Sequence, residues 1–247
     1  MPLTTAHPII VAPLWHASRK WLDLPALIVG STIPDIKYFL HLRTMENIGH
    51  TGLGILVQGV PASLCLLALF SFVMLGPLRA LSPGGVGRIL PESYDFLPKE
   101  RFVVIVISIL IGAATHVFWD SFTHRGWFFV RMIPVLDTQM GPLPIYKYLQ
   151  YISGVLGTAA VFIWAIYAIK RAPIQAERIA NRVGPTSIIL VTTIVILYIA
   201  LGKNNPLTPY IALIQTVIGT ISGVALGLFI FALVDRIRPF KRVRTKP

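Results

Sequence analysis

The chain has 247 residues, of which 55% are hydrophobic and only 13% are charged. Because an ordinary soluble domain carries about 25% charged residues, this composition excludes a single soluble core and indicates that lipid is the solvent for much of the chain. The formal net charge is +12. The Lys and Arg residues lie between long uncharged stretches and in the C-terminal tail, an arrangement that fits membrane topology and anionic headgroups rather than nucleic acid.

The first fifty residues are apolar but are repeatedly interrupted by prolines. They predict two short helices, at about 9–21 and 23–32. These helices are expected to lie in the membrane interface or to re-enter the bundle, since broken backbone is tolerated at membrane depth only where protein or water surrounds it. A complete sixth span in this region is the alternative.

Five uncharged stretches are long enough, or nearly so, to cross a bilayer as helices, which takes about 20 apolar residues. They run over residues 51–78, 102–119 with a continuation to about 124, 148–169, 186–202 and 207–234. The single cysteine, Cys65, lies in the first of them, where we expect neither a disulfide nor a catalytic thiol. Small residues recur every four positions in the fifth, which is typical of close helix packing; they are Gly219, Gly223 and Gly227.

The predicted fold class is therefore an all-α, polytopic membrane helical bundle with about five transmembrane helices. We expect one helical domain over residues 1–235 and a basic, partly disordered cytoplasmic tail over 236–247, with loops at 79–101 and 170–185. With the C-terminus inside, the inner segments carry fourteen Lys and Arg and the outer segments carry eight. The positive-inside rule then places the N-terminal region and the end of the second span on the extracytoplasmic side of a bacterial cytoplasmic (inner) membrane.

The stretch from Thr115 to His124 holds the most informative polar residues. His116, Asp120 and His124 are spaced four apart, and a step of four turns only about 40° around an α-helix, so the three side chains share one stripe of the second span. An ionisable side chain within a membrane helix is costly and needs a partner or a cation. A hydrogen-bonded Asp–His pair that holds helices together is the structural alternative to a metal site.

The topology brings further histidine and aspartate to the same face. His50 opens the first span, Asp35 follows a proline, and His7 lies near the N-terminus. Such a set is the ligand set of a one- or two-metal hydrolytic site and suits zinc, iron or manganese, and we expect a divalent metal, with zinc preferred. Four other residues are expected to be solvated, capping or loop residues: His16, His41, Asp23 and Asp137.

These motifs resemble a bacterial membrane family catalogued as domain of unknown function 4184. The resemblance covers about residues 1–165 and rests on Leu3–Pro8, Gly30–Asp35 with Tyr38 and Phe39, His50–Thr51, Thr115–His124, and Leu149–Gln150 with Ser153 and Gly154. Ala6 and Thr115 stand where serine is expected, and the last two spans match the pattern poorly.

The resemblance implies a relationship to the membrane-bound predicted metal-dependent hydrolases. These share His-x-x-x-Asp spacing with the zinc phospholipase C group and its related nucleases. It implies that six residues are metal-site positions: His7, Asp35, His50, His116, Asp120 and His124. Asp35 and Asp120 are also the predicted catalytic residues.

Three classes of function follow from these observations. The first is a metal-dependent hydrolase that acts on a phosphoester or lipid at the outer membrane face, because a site at headgroup depth meets phosphates first. The second is a non-enzymatic membrane protein in which the same residues form a structural metal site or hydrogen-bond network. The third is a transporter, which is disfavoured because the polar residues cluster at one face instead of crossing the membrane. Membrane lipids are the expected partners, without nucleic acid.

Overall fold

The computed structural model of the chain describes residues 4–43, 48–82, 84–95, 99–174, 177–204 and 208–244. Within these residues nearly all regular structure is helical, beside two pairs of short antiparallel strands. The predicted all-α polytopic membrane bundle is confirmed. Five described helical stretches are long and apolar enough to cross a membrane, which indicates a multi-pass membrane protein: Gly52–Leu81, Glu100–Met132, Ile145–Arg171, Val183–Gly202 and Ile211–Ile237. We call them the first to fifth spans.

The first span contains two wide turns, at Ile55–Gly59 and Phe70–Met74, which have π-helical hydrogen bonding. Each wide turn is followed within three residues by a proline, Pro61 or Pro77. A proline cannot donate the usual helical hydrogen bond and its ring crowds the preceding turn, so a locally wider helix accommodates it. The helix continues through both positions.

The second span consists of a long helix, Lys99–Thr123, and a short one, Phe128–Met132. A 3-10 turn at Pro134–Asp137 and the hairpin of strands β1 (Gln139–Met140) and β2 (Leu143–Pro144) then lead into the third span. The predicted end near residue 124 agrees with the last residue of the long helix, Thr123, while the candidate span continues through the short helix to Met132.

Among the described residues of the N-terminal region, the chain forms two short helices, α1 (Pro8–Ala17) and α2 (Leu24–Thr32), and a third of six residues, Ile36–His41. None of the three reaches the length of a span, so among the described residues the alternative of a sixth span is wrong. Asp23 caps α2 by accepting a hydrogen bond from the Ala26 backbone N–H at 2.9 Å, as expected for a carboxylate at a helix start.

Helix α2 packs closely along the second span in a parallel direction. A Cβ atom at Gly30 would lie 2.3 Å from the Ile109 carbonyl oxygen, and one at Gly112 would lie 2.4 Å from the Leu27 carbonyl oxygen. Glycine at these two positions therefore lets the two backbones approach each other. The α1–α2 pair is thus packed against a membrane span, which favours the re-entering interpretation over the interfacial one.

The chain divides into two compact units that alternate along the sequence. One comprises Met1–Asp35, Asn47–Leu67 and Phe96–Ile166, and the other comprises Ile36–Glu46, Ala68–Asp95 and Tyr167–Pro247. The six predicted site residues all belong to the first unit. The division into one domain over residues 1–235 and a tail stays a prediction.

In the second unit the helix of the fourth span, Val183–Asn204, packs on the helix of the fifth span, Pro209–Ile237. Cβ atoms at the three glycines of the fifth span would lie between 2.6 and 2.9 Å from atoms of the fourth, so their packing role is confirmed. Strand β3 (Glu177–Ile179) pairs with β4 (Arg242–Arg244). The described part of the basic tail therefore forms a strand, which pairs with a strand in the loop at 170–185. No secondary structure was predicted for that loop.

Candidate metal centre

The six side chains predicted as metal ligands meet at one end of the first unit. Each lies where an element begins or ends: His7 directly before α1, Asp35 in the 3-10 turn after α2, His50 directly before the first span, and His116, Asp120 and His124 in and after the last turns of the long helix Lys99–Thr123. The cluster therefore consists of residues that are far apart in the sequence but lie together where several helices begin or end.

Asp120 lies at the middle of this cluster. Its Oδ2 atom is 3.4 Å from His116 Nε2 and 3.7 Å from His50 Nε2. Its Oδ1 atom is 3.6 Å from His124 Nδ1 and 3.7 Å from His7 Nε2. Only 3% of the residue is exposed, so four imidazole rings and little water surround a single carboxylate.

Asp35 approaches the same rings from the opposite direction. Its Oδ1 atom lies 3.3 Å from His50 Nε2 and 3.8 Å from His116 Nε2, while its Oδ2 atom accepts a 2.5 Å hydrogen bond from Thr4 Oγ1. Burial raises the pKa of the Asp35 carboxyl, but the hydrogen bonds from His50 and Thr4 and the charge of His116 outweigh burial, and the pKa lies below its usual value. Asp35 is therefore a carboxylate at neutral pH.

His116 is held in one tautomer by the backbone of α2. Its Nδ1 atom lies 2.7 Å from the carbonyl oxygen of Ser31, and because a carbonyl only accepts, Nδ1 must carry the hydrogen. The Nε2 atom then faces the two carboxylates and has no hydrogen-bond partner among the described residues. An outer hydrogen bond that fixes a ring in this way is typical of metal-binding histidines.

His7 stacks on His116, with ring centroids 3.7 Å apart and planes inclined by 17°. Trp119 contacts the His7 ring edge-on at 5.6 Å. Burial lowers the pKa of His7 to about 3, and the neighbouring His116 adds to this effect, so the ring is neutral at physiological pH. Neither of its nitrogens has a hydrogen-bond partner within the described part of the chain.

Among the residues that the structure describes, two groups of three have the geometry to hold a metal ion. In each group the candidate ligand atoms lie within 4.8 Å of one another; the groups are His7, Asp35 and His116, and His50, His116 and Asp120. Buried polar atoms are normally hydrogen-bonded, yet His7, His116 and Asp120 all present buried atoms without such a partner in the described residues. A cation among these atoms would satisfy them, so the side chains fit the predicted metal.

Both ring nitrogens of His124 lie within hydrogen-bond distance of protein groups. Its Nδ1 atom lies 3.1 Å from the backbone oxygen of Asp120, and its Nε2 atom lies 3.1 Å from the side-chain nitrogen of Gln150. The oxygen of Gln150 in turn accepts a 2.7 Å hydrogen bond from Lys147 Nζ. His124 thus belongs to neither group of three, and its predicted role as a ligand stays a prediction.

Sequence reasoning assigned no role to Thr4, the Ser31 carbonyl or Gln150. Thr4 and Gln150 do stand in the motifs that carry the family resemblance, which was the available signal. The four residues set aside as non-site lie outside the cluster: Asp23 caps α2, Asp137 is 3.8 Å from Arg125, and His16 and His41 are exposed.

A protein-family model described as "Domain of unknown function (DUF4184)" matches residues 1–233. The chain belongs to this family. The DUF4184 match extends well past the 1–165 predicted from motifs and includes the last two spans, whose pattern we expected to fit poorly. No curated protein and no solved structure matches the chain.

Proposed function

We propose that this DUF4184 protein is a metal-dependent hydrolase of the membrane surface, with a phosphoester or lipid substrate. The observation that carries the proposal is the set of buried, unsatisfied atoms that face one another: His7 Nε2, His116 Nε2 and Asp120 Oδ1. Burying polar atoms without partners is costly, and a divalent cation satisfies imidazole nitrogens and carboxylate oxygens together. Zinc suits this mixture of ligands best.

The two groups of three share His116, which limits the number of ions. Its Nδ1 hydrogen is directed at Ser31, so only the Nε2 lone pair can bind a metal, and one lone pair serves one ion. The two groups are therefore alternative or overlapping ligand sets for a single ion. We expect about one metal per chain.

A bound divalent ion supplies a water of near-neutral pKa and polarises the oxygen of a phosphoryl or acyl group. The chain's own residues supply the orientation. Thr4 holds the Asp35 carboxylate in place, and Ser31 holds the His116 ring. In hydrolysis the water oxygen bonds to phosphorus, the ester P–O bond breaks, and the proton passes to the leaving alcohol.

The position of the cluster supports a substrate from the membrane surface. Its residues lie where the first span begins and where the long helix of the second span ends. Such positions meet headgroups, whereas mid-span positions meet acyl chains. By the positive-inside rule we assign this end to the extracytoplasmic side.

Metal analysis of the purified protein tests the proposal. The wild type is expected to carry about one zinc ion per chain. His116→Ala and Asp120→Ala should lose it, and His41→Ala, which removes an exposed histidine outside the cluster, should retain it. The metal-loaded wild type should hydrolyse a member of a phosphoester panel, and a chelator should abolish that activity. Equal metal in the wild type and both cluster variants would exclude the proposal.

A structural network is the second candidate function, favoured by one observation. Lys147, Gln150 and His124 form a continuous hydrogen-bonded chain from the third span to the second. Such a chain stabilises helix contacts without any catalysis. If metal is bound but no phosphoester is hydrolysed, while Gln150→Leu lowers the melting temperature, the structural function is the better account.

A further inference from the structure

An open cavity of about 410 Å³ lies along the segment that follows the long helix of the second span. This is the size range of pockets that bind small molecules. Its lining combines two arginines with one carboxylate and small or apolar groups; the lining includes Arg125, Gly126, Arg131, Pro134, Asp137 and Thr138. None of these residues belongs to the His/Asp cluster.

The cavity has an excess of positive charge. Arg125 forms an ion pair of 3.8 Å with Asp137, and both partners are largely exposed. The guanidinium of Arg131 has no hydrogen bond or ion pair among the described residues, and it lies about 4 Å from where a Cβ at Gly126 would stand. Because Gly126 has no side chain, the space beside the Arg131 guanidinium stays open. A free guanidinium in a cavity matches the geometry of a phosphate group.

The cavity and the His/Asp cluster share one backbone segment. Arg125 directly follows His124, and neighbouring Cα atoms are about 3.8 Å apart. Trp127 donates its backbone N–H to the His124 carbonyl and accepts one from the Arg131 N–H. Its ring lies 5.3 Å from the His124 ring and 5.4 Å from the His50 ring. One indole therefore borders the cluster, while the segment it belongs to lines the cavity.

An apolar rim accompanies the positive charge. Phe128, Met132 and Val135, which alternate with the cavity-lining residues, are each more than half exposed. Exposed large apolar side chains at the end of a membrane span suit acyl chains, and arginine beside them suits headgroups. A ligand that satisfies both is amphiphilic and carries a phosphate.

We propose that this cavity binds the phosphate group of the substrate, through Arg131 with help from Arg125, and positions it beside the His/Asp cluster. The proposal rests on the hydrolase function proposed above and narrows its substrate class to phosphate-bearing amphiphiles. The Asp137 carboxylate neutralises part of the positive charge of the cavity, so binding of the phosphate group depends on the Arg131 guanidinium.

Ligand titrations with thermal unfolding as the readout test this proposal in detergent-solubilised full-length protein. The probes are phosphatidic acid in mixed micelles, phosphatidylcholine in the same micelles, and inorganic phosphate. Arg131→Gln removes the free guanidinium, and Arg131→Lys keeps the charge without its fork. Arg43→Gln removes one exposed charge outside the cavity and is the matched control.

Phosphatidic acid should raise the melting temperature of the wild type and of Arg43→Gln. Its apparent affinity should fall about 10- to 100-fold in Arg131→Gln, the loss expected for a hydrogen-bonded charge pair, and less in Arg131→Lys. Binding of inorganic phosphate as well would assign recognition to the phosphate alone, and binding of the lipid alone would assign it to phosphate with acyl chains. Both results support the cavity. Equal affinity of the wild type and Arg131→Gln for both phosphate probes would overturn it.

The metal content of the wild type and the KM of Arg131→Gln separate this proposal from the hydrolase function. If the metal is absent from the wild type but Arg131-dependent phosphate binding persists, the hydrolase fails and the cavity remains a lipid phosphate site. If metal and activity are present but the KM of the active phosphoester is the same in Arg131→Gln, the substrate assignment fails and the hydrolase remains.

Discussion

The Nε2 atom of His116 lies 3.4 Å from Asp120 Oδ2, one helical turn further along the same span. A neutral imidazole presents a lone pair at this atom, because the Ser31 carbonyl occupies the other nitrogen. Two electron-rich atoms that face each other in a buried site repel unless a proton or a metal lies between them. The pair is therefore stable only when a proton or a metal ion lies between the two atoms.

Metal removal should consequently destabilise the protein. A ligand that binds only the folded state stabilises it by about 4 kcal/mol when it is present at 1,000 times its Kd. We expect chelator to lower the melting temperature of the wild type by several degrees and zinc to restore it. In Asp120→Asn, which keeps the shape of the side chain and removes its charge, neither treatment should have an effect. Differential scanning fluorimetry in detergent measures both. A chelator response in Asp120→Asn equal to that of the wild type would contradict this interpretation.

Thr4→Val should weaken metal binding without unfolding the protein. The substitution removes the 2.5 Å hydrogen bond that orients the Asp35 carboxylate, and loss of such an outer contact typically costs 10- to 100-fold in metal affinity. Competition with a chromogenic zinc chelator gives the affinity. Thr5→Val is the matched control, because Thr5 Oγ1 bonds to Thr158 at 3.0 Å, away from the cluster. Thr4→Ser should restore most of the affinity, and equal affinities of Thr4→Val and Thr5→Val would refute the assigned role.

Hydropathy and span counting were sufficient to predict the five spans and the convergence of His7, Asp35, His50 and the His116–His124 stripe. Long uncharged runs have one stable solution in lipid, and alternating span directions decide which helix ends share a face. These two facts need no tertiary information. The metal itself and the roles of the ligands stay predictions.

The supporting contacts could not be predicted, for physical reasons that differ between residues. The partner of His116 is a backbone carbonyl at Ser31, and a backbone acceptor leaves no mark on the choice of side chain. Thr4 and Thr5 look alike in the sequence, and only the 3-10 turn they share decides which hydroxyl faces Asp35. The pairing of β3 with β4 joins segments more than sixty residues apart whose charges suggested a disordered tail.

Gly30→Ala should be strongly destabilising, in contrast to most Gly→Ala changes in helices. The new Cβ would lie 2.3 Å from the Ile109 carbonyl oxygen, so α2 must move away from the second span, at a cost of about 1–3 kcal/mol or more. That movement also withdraws the Ser31 carbonyl from His116, so metal affinity should fall with stability. Gly76→Ala is the control: no atom lies within 4 Å of its Cβ, and alanine should stabilise the helix by up to about 1 kcal/mol. Thermal unfolding of both variants tests this prediction. An unchanged melting temperature in Gly30→Ala would show that α2 does not pack as described.

The turn between α1 and α2 lies beside the start of the second span, about 22 Å from the metal centre, so the re-entering pair reaches towards the opposite side of the membrane and its turn should be accessible from there. Asp23 lies 3.6 Å from Arg101, at the start of the second span, whereas Asp35 lies beside His116, fifteen residues and about 22 Å further along the helix. Arg19 and Lys20, counted as outer residues from the sequence, then move to the inner side and strengthen the positive-inside bias. Trp21→Cys in a Cys65→Ala background should react with a membrane-impermeant maleimide only after the cytoplasmic side is opened, and Phe128→Cys should react in intact cells. Labelling of both positions from the same side would contradict the parallel packing of α2, whereas the reversed pattern, with Trp21→Cys labelled in intact cells, would contradict the orientation that the charges predict.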